Sequence, residues 1–257
     1  MGGAGLDGLS GWATLVRAPN PGPMTLDGTN TWVLRAPGHE RAVVVDPGPL
    51  DEGHLARIVE LGPFEFILVT HGHHDHVEGV ARLSELLGGT PVRSGEARLT
   101  TNGLDIRVLD TPGHTADSVC FLVECGNEQV MLTGDTLLGR GTTVVAKPDG
   151  DLGDYLRSLD VLAAYGKVLM LPGHGPVRTD VAAVADEYRE HRRERLAQVE
   201  AAMAAGADTP EKVVDLVYPG IEPRLRFAAE WSAAAQLDYL RHKNRESGTP
   251  PDGLDRL

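Results

Sequence analysis

Five of the six residues in the stretch HGHHDH, residues 71–76, bind protons or metal ions: His71, His73, His74, Asp75 and His76. Neutral imidazole and carboxylate together are the ligand set of zinc, and they also serve iron and manganese. Three further residues of these types follow short apolar runs: His114 in DTPGHTADS, Asp135 in LTGDTLLG and His174 in LPGHGPV. Loops at strand ends can converge over one edge of a sheet. His71, His73, Asp75, His76, His114, Asp135 and His174 then form a set of five imidazoles and two carboxylates. That is too many for one tetrahedral ion and enough for two, if a carboxylate bridges them. His74 reads as a loop side chain. His39, His54, His191 and His242 have no partners in the sequence and read as surface residues.

The elements that must position these groups alternate in type. WATLVRA, NTWVLRA and RAVVVDP read as successive strands, rich in Val and Thr and broken by Pro and Gly. FEFILVT, just before the histidine cluster, is continuous and apolar, as a strand buried on both faces should be. VEGVARLSELLG follows as a helix. SVCFLVEC and EQVMLTGD form a hairpin turning at Gly126–Asn127. LGDYLRSLDVLAAYG is a helix and KVLMLPG a last short strand. Past His174 the texture changes to a long Ala-, Glu- and Arg-rich helix from Thr179 to about Ala205. A helix capped by Thr209 with Pro210 at its first position comes next, then another over residues 224–243. The last dozen residues read as frayed.

With 257 residues, the chain suits one large domain or a domain plus an appendage. The net charge of −13 opposes non-specific attraction to nucleic acid or anionic membrane. The part after Ala185 is nearer neutral and carries the cluster HRRER, with Arg192, Arg193 and Arg195 as a candidate substrate-binding patch. Cys120 and Cys125 are separated by an odd number of residues on one strand, so they face opposite ways and do not bridge. No apolar run approaches a membrane span, and MGGAGLDGLS lacks the features of a secretion signal. A cytoplasmic location with no membrane partner is the expectation.

The motifs H-x-H-x-D-H, P-G-H-T, T-G-D and P-G-H-G, in this order, resemble those of the metallo-β-lactamase superfamily. The resemblance implies an α/β fold, a four-layered αββα sandwich with metals at one edge. It also implies an assignment. His71, His73 and His114 would hold one ion, Asp75, His76 and His174 the other, and Asp135 would bridge. PNPGPMTLDGTNTWVL, VVVDPGP, GDTLLGRGTT and YLRSLDVL, with the ending PGHGPV and a long helix, are similar to the β-lactamase-like protein 2 family. That implies a hydrolase domain over residues 1–180 and a small C-terminal helical, winged-helix-like domain over 181–257. RHKNRESGTPPDGLDRL, however, lacks an obvious β wing. Asp46, Asn30, Thr31 and Thr115 would lie behind the metals or at the substrate rim, and the Asn-Pro-Gly-Pro loop at that rim.

The chemistry implied is hydrolysis with two Zn2+, Fe or Mn being alternatives. Zinc lowers the pKa of a bound water to roughly 7, so a bridging hydroxide is the expected nucleophile and one metal the Lewis acid. Asp75 would orient that hydroxide and pass a proton to the leaving group. Two divalent ions outweigh the site's carboxylates, so an anionic small molecule is attracted. By resemblance the substrate is single-stranded RNA or an acyl thioester, of an acyl-carrier protein or glutathione. A persulfide dioxygenase with one iron is the alternative of another class, and a non-catalytic binding module a third. A homodimer built on the helical appendage is a further expectation.

Overall fold

The computed structural model describes residues 11–246; expectations about the first ten residues and the last eleven lie outside them. Strands β1 (Ala13–Arg17), β2 (Asn30–Leu34), β3 (Ala42–Val45) and β4 (Phe64–Leu68) form one sheet in sequence order. The first two pairings are antiparallel and β3 runs parallel to β4, which requires a crossover. Helix α1 (Glu52–Val59) supplies it, capped at its N-terminus by the Asp51 side chain. The second sheet repeats the plan. β5 (Arg98–Thr101), β6 (Leu104–Asp110), β7 (Val119–Cys125) and β8 (Glu128–Gly134) are antiparallel, and β9 (Leu169–Pro172) joins β8 in parallel. Here the crossover is α4 (Leu152–Ala163), capped by Asp151.

Three apolar clusters define four layers. Trp32, Leu34, Phe66, Ile106, Phe121 and Leu132 fill the space between the sheets. Leu55, Ile58 and Leu83 cover the outer face of the first sheet from α1 and α3 (Val80–Leu86). Leu159, Leu162, Val184 and Tyr188 cover the second sheet from α4 and α5 (Val181–Ala204). The arrangement is the αββα sandwich. Cys120 packs on the helix side of its sheet and Cys125 between the sheets; both are free and buried, as their odd spacing requires.

Helix α5 serves two cores. Its first half packs on the second sheet, while Val199 and Ala202 pack with α6 (Pro210–Val217) and α7 (Arg226–Glu246) around Val213, Ala233 and Leu237. Residue 181 therefore opens a helix that still belongs in part to the sandwich. Among the described residues no strand follows Pro172, so the C-terminal region is helical without a wing. Among the described residues no helix is long and apolar enough to cross a membrane.

Three elements depart from the sequence reading. The helix expected over residues 77–88 is interrupted: α2 (His74–Val77) is a single turn and α3 begins after Gly79. The α1 helix and the β5–β6 hairpin were not anticipated.

Candidate metal centre

His71, His73, Asp75 and His76 occupy the turn after β4 and the single turn of α2. His114 follows β6, Asp135 follows β8 and His174 follows β9. All seven arrive at the same edge of the sandwich. Ligand atoms of three triads lie close enough to share an ion: His71, His73 and His114; His71, His76 and Asp135; Asp75, His76 and His174. His74 points away, its side chain exposed beside Glu78.

The hydrogen bonds behind the rings decide which nitrogen faces inward. His76 Nδ1 lies 2.8 Å from Asp46 Oδ2 and donates to it. His114 Nδ1 donates to the Val144 carbonyl at 2.8 Å. The Thr70 hydroxyl donates to Asp46 Oδ2 at 2.7 Å, so at 3.0 Å it accepts from His71 Nδ1. His71 and His114 therefore turn an unprotonated Nε2 toward the site, whereas burial works against a charge on His76 but Asp135 and Asp46 hold its ring protonated when no metal is bound.

The inward nitrogens converge. His71 Nε2 and His114 Nε2 stand 3.1 Å and 3.0 Å from His73 Nδ1. His76 Nε2 stands 3.3 Å from His174 Nε2, which is 3.1 Å from Asp75 Oδ2 and 3.3 Å from Asp135 Oδ2. Asp135 Oδ1 is buried and makes no hydrogen bond, only a longer ion pair with His76 Nε2 at 3.5 Å. Imidazoles and carboxylates this close need protons or cations among them, and the donor set fits bound metal ions.

Electrostatics of the metal-free protein agree. Burial, assisted by His76, pushes the His71 imidazole down to about 2, so it stays neutral and ready to ligate. Burial likewise lowers His114. His174 behaves in the opposite way: burial works against its charge, yet Asp135 and Asp75 raise it to about 9. A proton there does the neutralising that a cation would otherwise do.

The residues behind this ring are built for rigidity. Asp46 ends β3 with φ of 52°, a conformation uncommon for a non-glycine residue and more so before proline. Its carboxylate also accepts from the Thr70 amide at 2.7 Å, tying β3 to the histidine turn. Gly173 is required by space: a Cβ there would lie 2.5 Å from Asp135 Oδ1 and 2.8 Å from His76 Cε1.

Asn30, Thr31 and Thr115, expected behind the metals or at the substrate rim, are buried rather than at an open rim. Asn30 donates to the Pro172 and Gly175 carbonyls and so braces the His174 turn. Thr31 donates to the Asp46 carbonyl, and Thr115 donates to Asp117. His54 is also buried, not on the surface: Thr31 Oγ1 accepts from its Nε2 at 3.0 Å. Arg192 is the largest correction. It is buried, donates to the Thr143 carbonyl and lies over the Tyr155 ring at 5.2 Å. Arg193 pairs with Glu190 on the surface, and Arg195 covers Tyr218 at 4.6 Å. The three arginines do not form one binding face.

Thr29 was missed by the sequence reading. Its hydroxyl donates to Asp75 Oδ2 at 3.0 Å and accepts from Asn20 of the Asn-Pro-Gly-Pro loop. A buried Thr inside a loop of turn residues carries no periodic signal. That loop does reach the site: Met24 and Leu26 wall a cavity of about 200 Å3 that opens on His114 and Asp135. At its rim Arg140 makes a two-pronged ion pair with Asp27, at 2.6 Å and 2.9 Å.

Comparison with known proteins gives this geometry a context. A family model described as the metallo-beta-lactamase superfamily matches residues 24–98 and 90–174. An atrochrysone carboxyl ACP thioesterase of Aspergillus chevalieri is 35% identical over 229 residues, covering 79% of this chain and 72% of its own. A beta-lactamase-like protein 2 homolog of Caenorhabditis elegans is 32% identical over 215 residues, covering 74% of this chain and 70% of its own. The crystal structure of a metallo-beta-lactamase family protein from Thermus thermophilus superposes with a TM-score of 0.69 at 26% identity. It covers 91% of this chain and 94% of its own.

Proposed function

The chain belongs to the metallo-beta-lactamase superfamily, and from that premise we propose that it is a metal-dependent hydrolase acting on an acyl thioester. The observation that carries the hydrolytic reading is the convergence of five imidazoles and two carboxylates at one edge of the sandwich, in three triads whose ligand atoms lie within 4.8 Å of one another. His71, His73 and His114 would hold one divalent ion, Asp75, His76 and His174 a second, with Asp135 between them. Zinc is the first candidate. Such a pair supplies Lewis acidity toward a carbonyl oxygen and makes water acidic enough to ionise near pH 7.

The protein's own groups do the rest. Asp46, Thr70 and Val144 fix the ring orientations, so the ligands need little rearrangement on loading. Thr29 locks Asp75 Oδ2, which leaves Oδ1 as the oxygen that accepts a proton from attacking water and returns it to the departing sulfur. Asp75 suits this task better than Asp135 because its side chain is 26% exposed against 11%. The overall change is one water added across the acyl–sulfur bond, giving a carboxylic acid and a thiol.

Two observations favour thioester over phosphodiester. One relative sharing 35% identity is named a thioesterase. The basic cluster that supported an RNA substrate is dismantled, with Arg192 buried in the fold. The test is to load the protein with zinc, manganese or iron and assay it on acyl thioesters and, in parallel, on a labelled single-stranded RNA. Thioester turnover that vanishes in Asp75→Asn supports the reading; RNA cleavage without thioester turnover would overturn it.

A further inference from the structure

A cleft of about 320 Å3 shares no lining residue with the cavity that opens on His114 and Asp135. Its inner end is lined by His71 and Gly72, so it adjoins the metal centre. Its walls are Leu99, Val108, Val119 and Phe121, where the gap between the two sheets opens outward. The volume lies at the lower end of the range of about 300–1,000 Å3 typical for small organic ligands. Leu99 and Phe121 are buried and Val108 and Val119 half-buried, so an apolar ligand entering here would extend the inter-sheet core.

Glu96 also lines the cleft, with its carboxylate neutralised by Arg93 at 2.6 Å, so the rim presents no free charge from this residue.

We infer that this cleft is the acyl-binding site, and that it takes a short to medium apolar acyl group. The inference rests on the thioester reading above. In it, the acyl body lies in the cleft with its carbonyl toward His71 and the metal centre, and the thiol arm stays outside. Chain length is limited by the volume of the cleft.

The experiment uses the metal-loaded full chain and two measurements. The first is calorimetric binding of hydrolysis-resistant thioether analogues of acyl-N-acetylcysteamine, with acyl chains of increasing length. The second is kcat/KM for the matching thioesters. Affinity should rise by about fourfold per methylene until the cleft is full. Val108→Phe, which fills the cleft, and Ser94→Trp, which caps it from an exposed loop position, should flatten that rise, so that long-chain and acetyl analogues bind alike. Thioester turnover with no length dependence, or the same dependence in both variants, would overturn the cleft assignment while sparing the thioester reading. Length-dependent binding without any turnover would uphold the cleft and overturn the thioester reading instead.

Discussion

Asp46 Oδ2 sits 2.8 Å from His76 Nδ1, on the side of the ring that faces away from the metal centre. This one contact fixes the tautomer, points Nε2 inward and makes the nitrogen a better donor to a cation. Asp46→Asn keeps the shape but can present an amide N–H to the ring in place of an acceptor. It should weaken divalent-ion affinity by about 10- to 100-fold. Competition with a chromophoric chelator measures this, with circular dichroism confirming an unchanged fold; undiminished affinity would show that Asp46 acts only in joining β3 to the histidine turn.

Gly173 tests the geometry from another direction. Its φ is not positive, so an added methyl acts through collision, chiefly with Asp135 Oδ1 and the His76 ring and at 3.0 Å with the Gly134 backbone. Gly173→Ala should displace Asp135 and reduce kcat/KM by about 100-fold, the typical cost of misplacing a reacting group by an ångström. A crystal structure of the variant should show Asp135 moved. Full activity with Asp135 in place would mean that the site tolerates slack that the present geometry denies.

His54 gives a pH dependence separate from the metal ligands. Burial, aided by the nearby Arg57 guanidinium, pushes its imidazole below the ordinary value. The unfolded chain takes up a proton there near pH 6.5, and the folded chain does so only at lower pH. Its contribution to stability is therefore complete above about pH 6.5 and is lost as pH falls toward the depressed folded value. In chelator-treated protein, the stability advantage of wild type over His54→Gln should shrink as pH falls from about 7.5 to about 5. Urea titrations at several pH values would reveal it; an advantage that grows on acidification contradicts a neutral buried ring.

Arg192 and its neighbours separate packing from surface charge. Arg192→Ala leaves the Thr143 carbonyl unpaired and removes the guanidinium from the Tyr155 ring. It should cost about 1–3 kcal/mol of folding stability. Thr143 in turn donates to the Asp135 carbonyl at 2.7 Å, so activity should fall with it. Arg193→Ala, on the surface, should stay within about 0.5 kcal/mol of wild type. Chemical denaturation resolves the two; similar small effects would return Arg192 to the surface.

The sequence disclosed the metal centre better than its supports. Ligand residues fall in short turns after apolar strands, and their chemical types are rare enough in combination to be read directly. Thr29, Thr70 and Val144 are ordinary residues whose roles depend on which side chain or carbonyl the fold brings alongside them. Arg192 was misread because a charge on a helix normally faces water, and α5 is unusual in packing on two cores at once. The β5–β6 hairpin was legible and overlooked: Asn102–Gly103 is a strong turn signal, and both residues adopt positive φ. β6 also alternates Leu104, Ile106 and Val108 with Asp105 and Arg107, the period-two signal of a half-buried strand.

The most direct test is metal stoichiometry by elemental analysis of protein loaded with zinc and then freed of excess ion. Two equivalents per chain are expected for the wild type, falling to about one in a His114→Ala variant that loses one triad and keeps the other. A wild type that retains no divalent ion, or holds it equally well after His71, His114 and His174 are all replaced by alanine, would contradict the metal centre on which the proposed hydrolysis depends.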